Sequence, residues 1–245
     1  MKRTGFLLLF FILGISVCIS GCKAPPKKET SDFVTGEIMD KHEDLPFHKA
    51  WIKEGFSKSG YKKVHIPPVN TSYIFLDESN WWQNSFKSYA DLKKDVDEMG
   101  TFMQETFIEA FKDDPNKRFK VAKKPDDETL IIELAITELT PNKPYLKIAR
   151  FAPFGAGAAV TLLNQSNLST VSFESKIRDG KSGEIVAMFA DREQEKKYLL
   201  TTKNWYWYSH SEEIIQDWAK QFVELGNQEE GEVIKDSATF GLKPW

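Results

Sequence analysis

Cys22 is the residue whose surroundings most clearly prescribe a chemistry. It closes the run Ile19-Ser20-Gly21-Cys22, a lipobox. Lys2 and Arg3 lead it, followed by an apolar stretch from Phe6 to Val17. A basic start, a short apolar run and small residues before a cut are the parts of a secretory signal. The thiolate of a cysteine placed there accepts a diacylglycerol, and a dedicated peptidase then cleaves in front of it. The apolar run falls short of the roughly 20 residues that a membrane span needs, which disfavours an uncleaved anchor. Cys22 is therefore the expected lipidation site. Two or more acyl chains would hold the mature chain far better than one.

Other constellations approach known chemistries and fall short. Asp179-Gly180-Lys181-Ser182-Gly183 contains the end of a phosphate loop, but Ser175 stands where its first Gly belongs and a strand follows where a helix is needed. It reads as a hairpin turn. His42-Glu43 opens like a helical zinc motif, but Pro46 takes the position of the second histidine, and His48 falls out of frame. Ser59-Gly60-Tyr61-Lys62 matches Ser-x-x-Lys without the companion motifs of a penicillin-binding site, and Gly55-Phe56-Ser57-Lys58-Ser59 lacks the closing Gly of a nucleophile elbow. No catalytic residue, metal ligand or cofactor is expected, and the chain reads as non-enzymatic.

Two uncharged segments remain as contact surfaces. Trp205-Tyr206-Trp207-Tyr208 is an aromatic cluster that would place Trp and Tyr on opposite faces of a strand. One face would suit stacking on a glycan or packing on a protein. The second aromatic cluster is Trp81-Trp82. Phe151 to Val160, with Phe154 between them, is rich in Gly and Ala. It is either core filling or an exposed apolar lip, and Phe151, Phe154 and Val160 are its candidate membrane or partner contacts.

Composition bounds what these residues can serve. The 245-residue chain carries a net charge of −3, and loss of Lys2 and Arg3 makes it more acidic, which argues against nucleic acid. Its two cysteines are Cys18, inside the signal, and Cys22, so the mature fold has no disulfide and rests on packing. Lys23 to Thr35 is polar, with prolines and lysines, and reads as a flexible tether. Where enterobacteria-like sorting applies, Asp after the lipidated Cys retains a lipoprotein in the inner membrane. Lys23 there leans toward outer-membrane delivery.

The elements that must carry these features follow from periodicity. Phe47, Trp51, Ile52 and Phe56 read as a short amphipathic arm. Lys63 to Val69 reads as a strand stopped by prolines and continued by Ser72 to Leu76. Ser88 with Asp91 caps a helix whose stripe is Leu92, Val96, Met99, Met103, Phe107 and Ala110, with Gly100 weakening it and Asp113 to Asn116 ending it. Phe119 to Val121 and Leu130 to Ile136 are strands. Val171 to Ile177 and Glu184 to Ala190 form a hairpin about the turn. Ser209 with Glu212 forms a capping box for a helix striped by Ile214, Ile215, Trp218, Phe222 and Leu225, stopped by Gly226-Asn227. The class is α+β: a mostly antiparallel sheet with helices packed on one face. The expected organisation is a signal over 1–21, a tether over 22–35, one domain over 36–227 and a loose tail over 228–245, with Phe240 and Trp245 docking.

Four stretches together carry a family resemblance. They are Tyr61-Lys62-Lys63-Val64-His65-Ile66-Pro67-Pro68-Val69, the strand from Leu130 to Thr140, the hairpin from Phe173 to Ala187, and the helix with Trp218-Ala219. They resemble bacterial lipoproteins of domain-of-unknown-function family 3313, across most of residues 35–227. Gly180-Lys181 departs from that family's usual turn. The resemblance implies a lipoprotein and carries over no functional residue but Cys22. The expectation is a lipid-anchored envelope protein, at the outer membrane facing the periplasm. It would bind or scaffold an envelope protein, or alternatively bind peptidoglycan or another glycan through Trp205 to Tyr208.

Overall fold

The alternation of Val171, Phe173 and Ile177 with polar residues builds the centre of the sheet. The computed structural model describes residues 24–27, 29–76, 88–140, 169–195, 208–229 and 232–237. Its strands are β1 (Lys49–Ile52), β2 (Lys63–His65), β3 (Lys120–Val121), β4 (Thr129–Thr140), β5 (Thr170–Asp179) and β6 (Ile185–Gln194). Its helices are α1 (Tyr89–Asp113) and α2 (Ser209–Asn227). The sheet order is β1-β6-β5-β4-β2-β3. From β1 to β4 neighbours run antiparallel, whereas β4-β2 and β2-β3 are parallel. The fold is α+β with a mixed sheet.

Both helices bury their stripes with one face of the sheet. Val96, Met99, Met103 and Phe107 of α1, and Ile214, Ile215, Trp218 and Phe222 of α2, are buried in a core with Leu134, Ile136, Phe173 and Phe189, and Leu92 of α1 is buried as well. Phe173 and Trp218 stack tilted with centroids 4.5 Å apart, and Phe47 reaches Phe222 at 5.4 Å. Each such side chain contributes about 1.5–3 kcal/mol on burial. Ser88 caps α1 as expected: its Oγ accepts from Asp91 N at 3.2 Å and donates to Asp91 Oδ2 at 2.6 Å. Gly100 has a packing reason, since a Cβ there would fall 2.7 Å from Thr71 Cγ2.

The opposite face of the sheet is polar, and the N-terminal segment covers it. Glu138, opposite Ser172 in the β4–β5 pairing, takes a bidentate grip from Arg192, with Nε 2.7 Å and Nη2 2.9 Å from its oxygens. Arg192 Nη1 also donates to Pro25 O at 3.2 Å, and Lys27 Nζ to Thr137 O at 3.2 Å. Glu174 accepts from Ser31 N and Ser31 Oγ, and burial pushes its carboxyl up while those two bonds pull it down. Phe33 lies 4.0 Å under the Lys176 ammonium, and Val34 and Met39 form a small apolar cluster with Met188 and Ala190. The stretch expected to be a solvated tether is thus docked over its described residues. Composition alone does not reveal the acceptors that the hairpin's outer face offers to it.

Several boundaries differ from the sequence expectation. Phe47 to Ile52 is no amphipathic arm: Phe47 is fully buried and β1 pairs with β6. Ser72–Leu76 is a 3-10 turn and not a strand continuation. The Ser209–Glu212 box does not start α2, because the N-cap is Tyr208, whose carbonyl accepts from Glu212 N. Gly226 does not stop α2. It lies inside the last turn, where a Cβ would come 3.0 Å from the Phe119 ring. The tail is anchored at Ile234, buried and donating its N–H to Asp44 O. Phe240 and Trp245 lie outside the described residues.

Candidate functional site

Small residues open space where large ones would close it. In β6, Ala187 faces the helices between Ile177 of β5 and Ile52 of β1. Around it the sheet and helices leave an apolar cavity of about 470 Å³. Val64, Leu130, Ile132 and Phe189 wall it from the sheet, and Phe111 and Phe222 from the helices. The size falls within the roughly 300–1,000 Å³ of small-molecule pockets. Its mouth lies between Ile52, Phe56 and Lys58 on one side and Leu225, Gln228 and Glu229 on the other.

Lys58, the cation at the mouth, is tied to the main chain. Lys58 Nζ donates to Leu225 O at 2.7 Å and to Gln228 O at 2.5 Å, where it meets the negative end of the α2 dipole. Burial lowers the Lys58 pKa, nearby Arg118 lowers it further, and Glu232 opposes them. Arg118 donates to Tyr61 O and Lys58 O, each at 2.8 Å, and its guanidinium sits 4.3 Å over the Phe119 ring. These bonds hold the rim in place and leave the interior to hydrocarbon and aromatic side chains. Such a site retains an apolar ligand by desolvation.

A second cluster joins residues far apart in sequence. His48 Nδ1 lies 2.5 Å from Asp191 Oδ1, His48 N donates to the same oxygen at 3.1 Å, and Trp218 Nε1 donates to Asp191 Oδ2 at 2.9 Å. Here β1, β6 and α2 are clamped together around a carboxylate that is 1% exposed. No local motif announces this cluster, because its members are 27 and 143 residues apart.

The residues singled out in the sequence fall as follows. Cys22, Phe151, Phe154, Val160, Trp205, Tyr206 and Trp207 lie outside the described residues. Tyr208 packs against the edge of the core. Burial, then the charge of Asp95 and a hydrogen bond to it, raise its hydroxyl pKa. Lys181 is exposed in the hairpin turn, 2.9 Å from Asp127, and β6 follows, so the turn is not a phosphate loop. Ser57 caps the 3-10 turn Lys58–Gly60 by accepting from Ser59 N at 3.3 Å, and Lys62 pairs with Glu128. Among the described residues no group of three or more His, Cys, Asp or Glu is placed to hold a metal ion. Among them no helix is long and apolar enough to cross a membrane.

Residues 29–222 match the family described as Protein of unknown function (DUF3313). The chain belongs to this family. No curated protein matches it. Among solved structures, the chain is similar to a PelC dodecamer from Paraburkholderia phytofirmans, at 8% identity and a TM-score of 0.38, covering 74% of this chain and 96% of that one. A variant of the same PelC gives 10% identity and a TM-score of 0.38, with 74% and 98% covered. A PDZ domain protein from Parabacteroides distasonis gives 15% identity and a TM-score of 0.37, covering 77% of this chain and 37% of that one. At these values neither the assembly nor the role of those proteins carries over.

Proposed function

We propose that this family member is a lipid-anchored cell-envelope lipoprotein, held through Cys22 at the outer membrane and facing the periplasm. Its folded domain is a binding module without catalysis, and the cavity beneath Ala187 is where it binds. The ligand class is a small molecule dominated by hydrocarbon. The observation that carries this reading is the contrast between the cavity and its rim. The walls are aliphatic and aromatic, while Lys58 at the rim is bonded to main-chain carbonyls and its own carbonyl is held by Arg118. A carbonyl-bonded ammonium shapes an opening better than it attacks a substrate. The lipobox supplies the address.

The test takes the full-length protein from bacterial membranes in native nanodiscs and weighs it intact. The expected result is a diacylglyceryl mass on Cys22 together with a non-covalently held apolar adduct. Protein without adduct, and without uptake of added long-chain fatty acid, would overturn the binding reading. An unmodified Cys22 would overturn the anchoring.

A further inference from the structure

The described residues give the domain two chemically different ends. At one end lie the Asp179–Gly183 turn, the C-terminus of α1 and the cavity mouth. At the other, Thr140 pairs with Thr170 and Thr170 with Gln194. Ser169 Oγ comes within 3.5 Å of Ser211 Oγ in the first turn of α2, and Asp95, in the second turn of α1, adjoins Tyr208. The docked N-terminal segment arrives at this second end. Pro25 O accepts from Arg192, and Lys27 donates to Thr137 O, three residues before the end of β4 at Thr140. Ala24 is 1% exposed. Between Ala24 and Cys22 there is room for only about 7 Å of extended chain.

We propose that this second end of the domain lies on the headgroup surface of a phospholipid bilayer. The inference rests on the reading that Cys22 is lipidated. A lipid two residues before a docked alanine leaves the domain no slack to turn its other end to the membrane. The sequence agrees with that placement. Lys23, Lys27 and Lys28 add positive charge beside the anchor, matching anionic headgroups. The cavity mouth then points away from the membrane, into the aqueous space. The sheet's ten-residue strands, at about 3.3 Å per residue, separate the two ends by roughly 30 Å.

The test uses lipidated full-length protein in vesicles of phosphatidylethanolamine and phosphatidylglycerol, with a nitroxide quencher on a fraction of the headgroups. Lipidation consumes Cys22, so a fluorophore on one introduced cysteine reports a single position. Tyr89→Cys and Gln194→Cys mark the proposed membrane end, and Asn116→Cys and Lys181→Cys the far end. Labels at both membrane-end positions are expected to be quenched severalfold more than those at the far positions. Equal quenching at the four positions, or stronger quenching at the far pair, overturns the orientation. Intact mass separates the two readings. A diacylglyceryl adduct with equal quenching sinks the orientation alone, and an unmodified Cys22 sinks both.

Discussion

Trp218 Nε1 donates to Asp191 Oδ2 at 2.9 Å, joining a fully buried indole to a carboxylate that also holds His48. A hydrogen bond to a buried charged group contributes about 1.5–3 kcal/mol. Trp218→Phe keeps most of the packing against Phe173 and removes this donor. The expected loss in urea unfolding is about 2 kcal/mol on that scale. An unchanged midpoint would show that the bond contributes nothing.

Tyr61 Oη donates to Asp179 Oδ2 at 2.6 Å, tying the hairpin turn to the segment before β2. That bond, with those from Ser182 and Lys181, lowers the Asp179 pKa to about 2, while burial first and Asp179 second raise Tyr61 to about 12. Asp179 is depressed, so its contribution is present above its unfolded value of about 3.9 and is lost as pH falls toward 2. Tyr61 is raised, so its contribution is present below its unfolded value of about 10 and is lost as pH rises toward 12. Solvent exposure of Asp179 keeps the acid-side effect small. Melting temperatures across pH should show Asp179→Asn flattening the acid limb and Tyr61→Phe the alkaline limb. Wild-type slopes in both variants would refute the assignment.

Gly180 is required by backbone contact. A Cβ there would fall 2.5 Å from Asp126 O and 2.6 Å from Thr129 O, neither of which can swing aside as a side chain does. Gly180→Ala is expected to cost about 1–3 kcal/mol, the range for overpacking. Gly183→Asn is the comparison. The φ of +72° at Gly183 suits Asn among non-glycine residues, nothing crowds its missing Cβ, and the loss should be smaller. Equal losses in denaturant melts would remove the distinction.

Ser175 faces the helices between Phe173 and Ile177, fully buried, and its hydroxyl has no hydrogen-bond partner. Such a group destabilises the fold by about 1–3 kcal/mol through desolvation. Ser175→Ala should raise the midpoint of unfolding by an amount at the low end of that range. A lowered midpoint would mean that the hydroxyl is satisfied in solution.

Periodic elements were legible from sequence because each depends on its own residues. The α1 stripe from Leu92 to Phe107, the Ser88–Asp91 cap and the β5–β6 hairpin all follow from local spacing. Elements whose form depends on distant partners were not. Lys49–Ile52 becomes a strand because β6 offers an edge, and residues 24–27 and 29–34 are docked because Glu174, Arg192 and Thr137 wait on the sheet. The cavity's one local trace is Ala187, a small residue in a strand of larger ones. Its mouth joins Lys58 to Leu225 across 167 residues, a pairing that no spacing rule reaches.

Binding of hydrocarbon in the cavity beneath Ala187 is most directly tested by titrating the chain from Lys23 onward with a fluorescent long-chain fatty acid, in parallel with Ala187→Phe. The larger side chain would occupy the space that Ile132, Ile177 and Phe222 enclose. The expected result is saturable binding by the wild type, displacement by unlabelled fatty acid, and at least about a tenfold loss of affinity, or 1.4 kcal/mol, in a variant with undiminished melting temperature. Absence of saturable binding by the wild type, or equal affinity in a folded Ala187→Phe protein, would contradict it.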